Sequence, residues 1–303
     1  MGTPDFAVPS LAALSERHRV VDVFTQPDRP AGRGRKLSAP PVKRKAEELG
    51  LPVFQPASVG GDEAYARLVG DAPDAIAVVG YGQMIPKRIR ILPPHGCVNV
   101  HSSLLPKYRG AAPVNWAIVR GERRTGVTTM RIARAMDAGD IYLSRATEIG
   151  PDERAAELSR RLAPMGAALL LETLAGLGAG TVGAVPQDHS AATRAPLIRR
   201  QDGLIDWSLP ARSVYDRLRG FDPWPGVFSF FRGKRLRIHA ARDAAEGGLG
   251  LGSLRLEGRR LAVGCGKGRL LVDEVQLEGR KRVPAADFSR GARLGNDEVL
   301  GNE

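Results

Sequence analysis

Short apolar segments alternate with helical segments over residues 1–80, and this alternation constrains the fold more than any other feature. Apolar runs typical of strands occur at residues 20–24, 52–54 and 75–79, and the last is continuous, as in a strand buried on both faces. Helical patterns precede or separate these runs, at residues 4–14, 43–49 and 62–69. The order predicts an α/β domain with a parallel sheet, in which ligands bind beyond the carboxyl ends of the strands.

Residues 99–113 carry the densest set of chemically active side chains. They begin as a strand and end as a loop punctuated by Gly and Pro. Asn99 and His101 are two residues apart, so they point to the same face of that strand. An amide beside an imidazole can stabilise a carbonyl oxygen as it turns negative and can move a proton in the same step. Alternatively, a buried Asn and His only satisfy neighbouring backbone groups.

Two further loops follow predicted strands. Residues 81–86 come directly after the buried strand at 75–79, so their backbone is predicted at the ligand-binding edge, where it can bond a flat heterocycle. Asp137 and Asp140 lie in a turn after the alternating strand at residues 126–132. A carboxylate in such a turn can also do no more than cap it.

The composition changes beyond a long amphipathic helix predicted at residues 153–177. Gly, Ala, Pro and polar residues follow without a sustained period, which is typical of a linker. A helix is then predicted at residues 206–218, followed by five short strands with Gly-rich turns, which indicate a small barrel of the oligonucleotide-binding (OB) type. At 303 residues the chain is long enough for two cores. We predict a first domain, a linker and a second domain at residues 1–180, 181–202 and 203–303.

Half of the net charge of +12 is concentrated in one segment. Residues 27–45 contain seven Lys or Arg residues and a single acidic residue, Asp28, which leaves an excess of +6. Such a concentration fits a polyanionic partner such as nucleic acid. A basic loop interrupted by Gly and Pro can equally be a solvated segment without a partner.

Cysteine usage and hydropathy exclude several classes of protein. Cys97 and Cys265 fall in different predicted domains, which excludes a disulfide framework and a Cys-rich zinc site, and both are expected to be buried. No apolar run approaches the roughly 18 residues of a membrane span. The N-terminus has no basic region followed by an apolar one. We therefore expect a cytoplasmic protein without membrane contact.

Four motifs occur in the order found in a known family. They are GTPDFA at residues 2–7, TQPDRPAGRG at residues 25–34, the stretch at residues 99–113, and FDPWPG at residues 221–226. Through them the chain resembles the methionyl-tRNA formyltransferase family over essentially its whole length. The stretch at residues 99–113 is shared with other 10-formyltetrahydrofolate-dependent enzymes, whereas the basic loop and the barrel select the tRNA enzyme. Ser102 departs from the family, which usually has Pro or Gly after the histidine.

The resemblance implies a Rossmann-like formyltransferase domain followed by an OB-like tRNA-binding domain. It implies transfer of the formyl group of 10-formyltetrahydrofolate, a co-substrate, to the α-amino group of methionyl initiator tRNA, without a metal. We expect the chain to be a monomer. The implied catalytic residues are Asn99, His101 and Asp137. The residues implied to bind the folate are Gly82, Gln83, Met84, Ile85, Ser103, Leu104, Leu105 and Pro106. Those implied to contact tRNA are Arg33, Arg35, Lys36 and Lys43.

Two other functions compete with this prediction. An amino-sugar nucleotide formyltransferase would share the stretch at residues 99–113, but the loop around Arg33 and the barrel disfavour it. A tRNA-binding relic without catalysis is disfavoured by the complete trio of Asn99, His101 and Asp137. Met1 lies where the family ends its first strand, so we expect a misassigned start codon. A chain that truly began there would lack a central strand, and we expect it to be unstable or catalytically impaired.

Overall fold

The structure is a computed structural model that describes residues 1–31, 36–245, 248–295 and 297–301. The chain divides into two compact units. The first comprises Met1–Pro113, Arg124–Glu148 and Leu158–Ala195. The second comprises Val114–Arg123, Ile149–Glu157 and Pro196–Glu303. Each unit is therefore assembled from three separate segments of the chain.

Helices and strands alternate through the first unit, and strands dominate the second. The α-helices in the described residues are α1 (Val8–Arg17), α2 (Pro41–Glu48), α3 (Asp62–Asp71), α4 (Lys87–Arg90), α5 (Pro113–Val119), α6 (Ala155–Gly178), α7 (Ala211–Gly220) and α8 (Ala285–Ala292), and short 3-10 helices lie at Asp5–Ala7, His189–Ala191 and Arg200–Gly203. The strands are β1 (Val23–Phe24), β2 (Arg29–Ala31), β3 (Lys36–Ser38), β4 (Val53–Phe54), β5 (Ile76–Val78), β6 (Cys97–His101), β7 (Arg124–Arg131), β8 (Ile141–Glu148), β9 (Val227–Phe231), β10 (Lys234–Ala244), β11 (Leu254–Glu257), β12 (Arg260–Gly264), β13 (Arg269–Leu277) and β14 (Val283–Pro284).

Two pairs of strands in the first unit are parallel, as the β-α-β-α-β order predicts, whereas β2 and β3 form an antiparallel hairpin. Strand β1 pairs with β4, and β5 pairs with β6. Met1 and Gly2 connect these pairs, because the Gly2 N–H donates to the Phe24 oxygen at 3.0 Å and the Val79 N–H donates to the Met1 oxygen at 2.9 Å. Beyond β6 the direction changes, since β7 and β8 are antiparallel to their neighbours. The predicted α/β class is confirmed, and the four-stranded sheet β5-β6-β7-β8 is mixed.

The pleat of β6 separates two apolar clusters. Val98 and Val100 are buried against α1 and α6 together with Leu11 and Leu170. Cys97 is buried in the other cluster, with residues of α3 and α4. Because alternate side chains of a strand point to opposite faces, Asn99 and His101 share the face of Cys97. The chemically active side chains therefore lie on the face opposite the two valines.

Helix α6 packs along the valine face of the sheet. Leu158, Leu162, Leu169 and Leu170 are fully buried on it. Thr173 is also fully buried, and its hydroxyl donates to the Leu169 oxygen at 2.7 Å. No helix in the described part of the chain combines the length and the apolar content needed to cross a membrane.

The second unit is built on an antiparallel sheet in the order β11-β12-β13-β10-β9, with β14 beside β13. Its two edges are connected by the C-terminal residues. The Leu254 N–H donates to the Glu298 oxygen at 2.9 Å, and Phe230 and Gly301 exchange two hydrogen bonds of 3.0 Å. The five strands expected from the sequence are all present, and their edges meet through residues 298–301, as closure of a small barrel requires.

Several predicted elements differ in length from those observed. The strand expected at residues 20–24 is reduced to Val23–Phe24, and the basic segment includes the hairpin of β2 and β3. The helix expected at residues 206–218 begins only after Pro210. Asp206 instead accepts the Ser208 N–H at 3.0 Å, a turn that competes with helix formation.

Both cysteines are expected to be unreactive in the folded protein. Burial raises the pKa of the Cys97 thiol to about 12 and that of Cys265 to about 11. Because the thiolate is the reactive form, neither should react with Ellman's reagent at about pH 8 until the chain is unfolded, when both should react. Rapid labelling of one cysteine in the native protein would contradict its burial.

Candidate active site

His101 ends β6, and its ring is held by the loop that follows. The ring is almost fully buried, and its Nε2 lies 2.9 Å from the main-chain oxygen of Tyr108. A carbonyl oxygen only accepts, so Nε2 must donate a hydrogen. In the neutral ring, Nδ1 is therefore the nitrogen with a free lone pair. It is the position at which His101 can take up a proton.

Asp137 lies in the turn between β7 and β8 and faces that nitrogen. Its Oδ2 is 3.7 Å from Nδ1 of His101 and accepts the Gly110 N–H at 2.8 Å. The 3.7 Å between Oδ2 and Nδ1 is too long for a hydrogen bond, but it permits a strong charge interaction with a protonated ring. The structure thus brings together two of the three predicted catalytic residues. The third, Asn99, lies on the same face of β6, opposite Met130 of β7.

The loop that carries Ser103, Leu104, Leu105 and Pro106 is fixed by hydrogen bonds between side-chain hydroxyls and main-chain groups. The Ser103 hydroxyl donates to the Lys107 oxygen at 2.6 Å, so it is already engaged within the loop. Thr128 of β7, which is fully buried, donates its hydroxyl to the Ser103 oxygen at 2.7 Å and accepts the Leu105 N–H at 3.2 Å. Sequence reasoning missed Thr128, although a polar residue inside an alternating strand is a signal for such a role.

The loop at residues 82–85 follows β5, and its residues differ in exposure. The Gln83 side chain accepts the Val59 N–H at 2.6 Å, and Ile85 is buried in the core. Met84 is 67% exposed. Gly82 has φ 84°, a conformation that favours glycine. Of these four predicted folate residues, Met84 is the one with a large exposed side chain.

The four predicted tRNA contacts are described only in part. Arg33 and Arg35 lie outside the described residues, and Lys36 begins β3 with a side chain that is not described. Lys43 is paired, because its Nζ donates to both carboxylate oxygens of Asp28 at 3.0 and 2.8 Å. Hydrogen bonds from Gln55 and Lys43 lower the pKa of the Asp28 carboxyl. The charge of Lys43 is thus already balanced.

Residues 185–195, here called the bridging segment, hydrogen-bond to both loops of the site. At one end, Val185 and Ile141 exchange two bonds of 2.8 Å beside the Asp137 turn. At the other end, the Thr193 hydroxyl accepts the Tyr108 N–H at 2.9 Å, and the Ala195 N–H donates to the Arg109 oxygen at 2.7 Å. The sequence pattern indicated only a linker here, because the segment has no period that marks a strand or helix.

Two glycines are required by close backbone approaches at these loops. Gly110 has φ 125°, and a Cβ there would lie 2.4 Å from the Ala195 oxygen. A Cβ on Gly139, in the turn that holds Asp137, would lie 1.8 Å from the Arg131 oxygen. Any side chain at either position would displace backbone, so both loops depend on glycine for their shape.

Comparison with known proteins identifies the family. Residues 1–174 match the formyl transferase family, and residues 197–293 match the formyl transferase C-terminal domain. The fold and the site therefore define a formyl transferase. The methionyl-tRNA formyltransferase of Solibacter usitatus is 52% identical over 302 residues, which cover 99% of this chain and 97% of that protein. That of Desulfotalea psychrophila is 49% identical, over 99% of this chain and 94% of its own. The chain belongs to the methionyl-tRNA formyltransferase family, which confirms the resemblance predicted from its motifs.

Solved structures share the fold at much lower identity. The N-formyltransferase from Helicobacter canadensis, in complex with folinic acid and dTDP-3-aminofucose, has a TM-score of 0.68 at 15% identity, over 93% of this chain and 97% of its own. HypX from Aquifex aeolicus, in complex with tetrahydrofolic acid, has a TM-score of 0.58 at 22% identity over 80% of this chain. The match covers only 43% of HypX. At these identities the likenesses show the fold alone.

Replacing Thr128 with Val is expected to destabilise the loop at residues 103–106. The substitution preserves the shape of the side chain but removes its hydroxyl, which leaves the Leu105 N–H and the Ser103 oxygen unpaired. The expected cost is about 1–3 kcal/mol in the free energy of unfolding. Urea denaturation measures this change. Ser144→Ala is the control, since Ser144 is an exposed residue whose hydroxyl lies 3.2 Å from that of Thr128 but bonds neither loop group. Equal effects of the two substitutions would show that the Thr128 bonds do not support the loop.

Proposed function

We propose that this chain transfers the formyl group of 10-formyltetrahydrofolate to the α-amino group of methionyl initiator tRNA. The observation that carries the proposal is the pair of His101 Nδ1 and Asp137 Oδ2, 3.7 Å apart, in a chain that matches tRNA formyltransferases along nearly its whole length. A proton acceptor next to a fixed carboxylate is what the attack of an amine on a formyl carbon requires.

In the proposed reaction each residue type has one task. The neutral α-amine attacks the formyl carbon and forms a tetrahedral oxyanion, to which the Asn99 amide donates a hydrogen bond. The amine then gives up a proton to Nδ1 of His101, and Asp137 stabilises the resulting imidazolium. The bond from carbon to the folate nitrogen N10 breaks as that nitrogen takes up a proton. The products are the N-formylated aminoacyl-tRNA and tetrahydrofolate, with no net change in protons.

The folate is proposed to lie along the two loops at the edge of the sheet. Main-chain groups of Gly82 and Gln83 would bond its heterocycle, with Met84 and Ile85 completing that loop. Ser103, Leu104, Leu105 and Pro106 would form the other wall. The hydrogen bonds that hold both loops support this role, since a rigid cleft loses less entropy on binding.

The tRNA is proposed to be contacted by the basic loop, with Arg33 as the main contact and Arg35, Lys36 and Lys43 in support. To bind a phosphate, Lys43 would have to give up its ion pair with the Asp28 carboxylate. The contribution of Lys43 should therefore be smaller than that of Arg33.

A transfer assay with three acceptors tests the proposed function. With 10-formyltetrahydrofolate as donor, we expect formylation of charged initiator tRNA and little formylation of free methionine or of a dTDP-amino sugar. Equal rates with tRNA and free methionine would remove the role of the basic loop and the second unit. Preference for the amino sugar would establish the alternative substrate, and no transfer to any acceptor would indicate a tRNA-binding relic.

Substitutions of the catalytic residues should lower kcat with folded protein retained. Asn99→Ala removes the oxyanion donor and Asp137→Asn removes the charge beside His101, so each is expected to reduce kcat by about 100- to 1,000-fold. Asp140→Asn is the matched control, because it changes another carboxylate in the same turn. The bond of Asp140 to the Arg131 N–H is made by its main-chain oxygen, which the substitution retains. A loss in Asp140→Asn equal to that in Asp137→Asn would contradict the assignment.

Replacing Arg33 should weaken tRNA binding without slowing chemistry. Arg33→Ala is expected to raise the KM for tRNA, leave kcat nearly unchanged, and reduce the salt dependence of tRNA binding by about one phosphate contact. Steady-state kinetics at several salt concentrations measure both effects. Arg124→Ala, an exposed position on β7, is expected to behave like the unchanged protein. An unaltered salt dependence in Arg33→Ala would argue against a phosphate contact.

A further inference from the structure

Gln187 of the bridging segment is buried, and its side-chain amide is fully hydrogen-bonded. Its nitrogen donates to the main-chain oxygens of Asp137 at 2.9 Å and Gly139 at 2.6 Å. Its oxygen accepts from Nε and Nη2 of Arg109, at 3.1 and 2.6 Å. Carbonyl oxygens only accept and a guanidinium only donates, so the amide has a single satisfactory orientation.

These bonds complete a ring around Asp137. Arg109 is bonded to Gln187 through its side chain and is followed by Gly110, whose N–H holds the Asp137 carboxylate. Gln187 in turn holds the main-chain oxygen of Asp137. The Asp137 carboxylate is thus bonded directly to the loop at Gly110. The main-chain oxygen of Asp137 is connected to Arg109 of the same loop through the Gln187 side chain.

The backbone of Asp137 needs such support. Its φ of 50° lies in the left-handed region, which residues with a side chain adopt less readily than glycine. Such conformations persist when surrounding contacts fix them. The carboxylate also stands at 3.7 Å from His101, where a shift of a fraction of an ångström decides whether a protonated ring can hydrogen-bond to it.

We propose that Gln187 is a positioning residue for Asp137, which holds the turn through its two carbonyl bonds and contacts neither substrate. The inference rests on the proposed catalytic role of Asp137. A neutral amide is required here, because the same side chain must donate to the turn and accept from Arg109. Glutamate could pair with Arg109 but would place a carboxylate oxygen against two carbonyl oxygens.

Two substitutions of Gln187 separate positioning from anchoring of Arg109. Gln187→Met removes all four bonds, whereas Gln187→Glu retains an acceptor for Arg109 and loses both donors to the turn. Both are expected to lower kcat by about 10- to 100-fold, as small misplacements of catalytic groups do, with KM values for folate and tRNA within about threefold of the unchanged enzyme. A Gln187→Glu enzyme with unchanged kcat would overturn the proposal, as would a change confined to KM.

A double-mutant cycle with Asp137 shows whether Gln187 acts through that residue. In an Asp137→Asn background, Gln187→Met is expected to cause no further loss of kcat, whereas multiplied losses would overturn the proposal. Thr173→Val is the control for general destabilisation, since it removes buried bonds to Leu169 and Thr129 in the same unit. It should lower the unfolding temperature and keep kcat, and a loss of kcat like that of Gln187→Met would overturn the proposal.

The same measurements distinguish failure of this inference from failure of the proposed function. If Asp137→Asn loses activity and Gln187→Met does not, the positioning role alone is wrong. If Asp137→Asn retains full kcat, the catalytic role of Asp137 is wrong and the positioning role falls with it.

Discussion

Strand β6 is paired on both edges and buried on both faces, and its register decides which side chains pack the core and which reach the site. Val98 and Val100 point into one apolar cluster, and Cys97, Asn99 and His101 point to the other face. A shift by one residue would exchange these sets and bury the wrong side chains. Parallel pairing with β5 and antiparallel pairing with β7 prevent that shift.

Beyond β6, backbone groups orient the reactive side chains. One short loop supplies the Tyr108 oxygen that binds the imidazole and the Gly110 N–H that binds the carboxylate. The separation between ring and carboxylate therefore depends on the shape of that loop. The bridging segment holds the loop by pairing with it at Arg109 and Ala195, and it reaches the Asp137 turn through Gln187. A segment whose regular structure is limited to the short 3-10 helix His189–Ala191 thereby contacts both loops of the site.

Patterns within short windows predicted much of this architecture. Alternating apolar and helical segments indicated the parallel strands around β5, and Gly-rich turns indicated the five strands of the second unit. Predictions failed where local chemistry competes with periodicity, as at the start of α7, where Asp206 forms a turn with Ser208. The antiparallel direction of β7 and β8 leaves no mark on periodicity, because both directions produce the same alternation of side chains.

The motifs at residues 2–7, 25–34, 99–113 and 221–226 indicated the family from the chain alone, because residue type and local spacing are properties of short stretches. Tertiary structure alone decided that His101 faces Asp137, that Lys43 is paired with Asp28, and that Gln187 holds the Asp137 turn. These contacts join residues 15 to 50 positions apart in the chain. Contacts at such separations form only when the folded sheet and loops bring their partners together, and no local pattern encodes them.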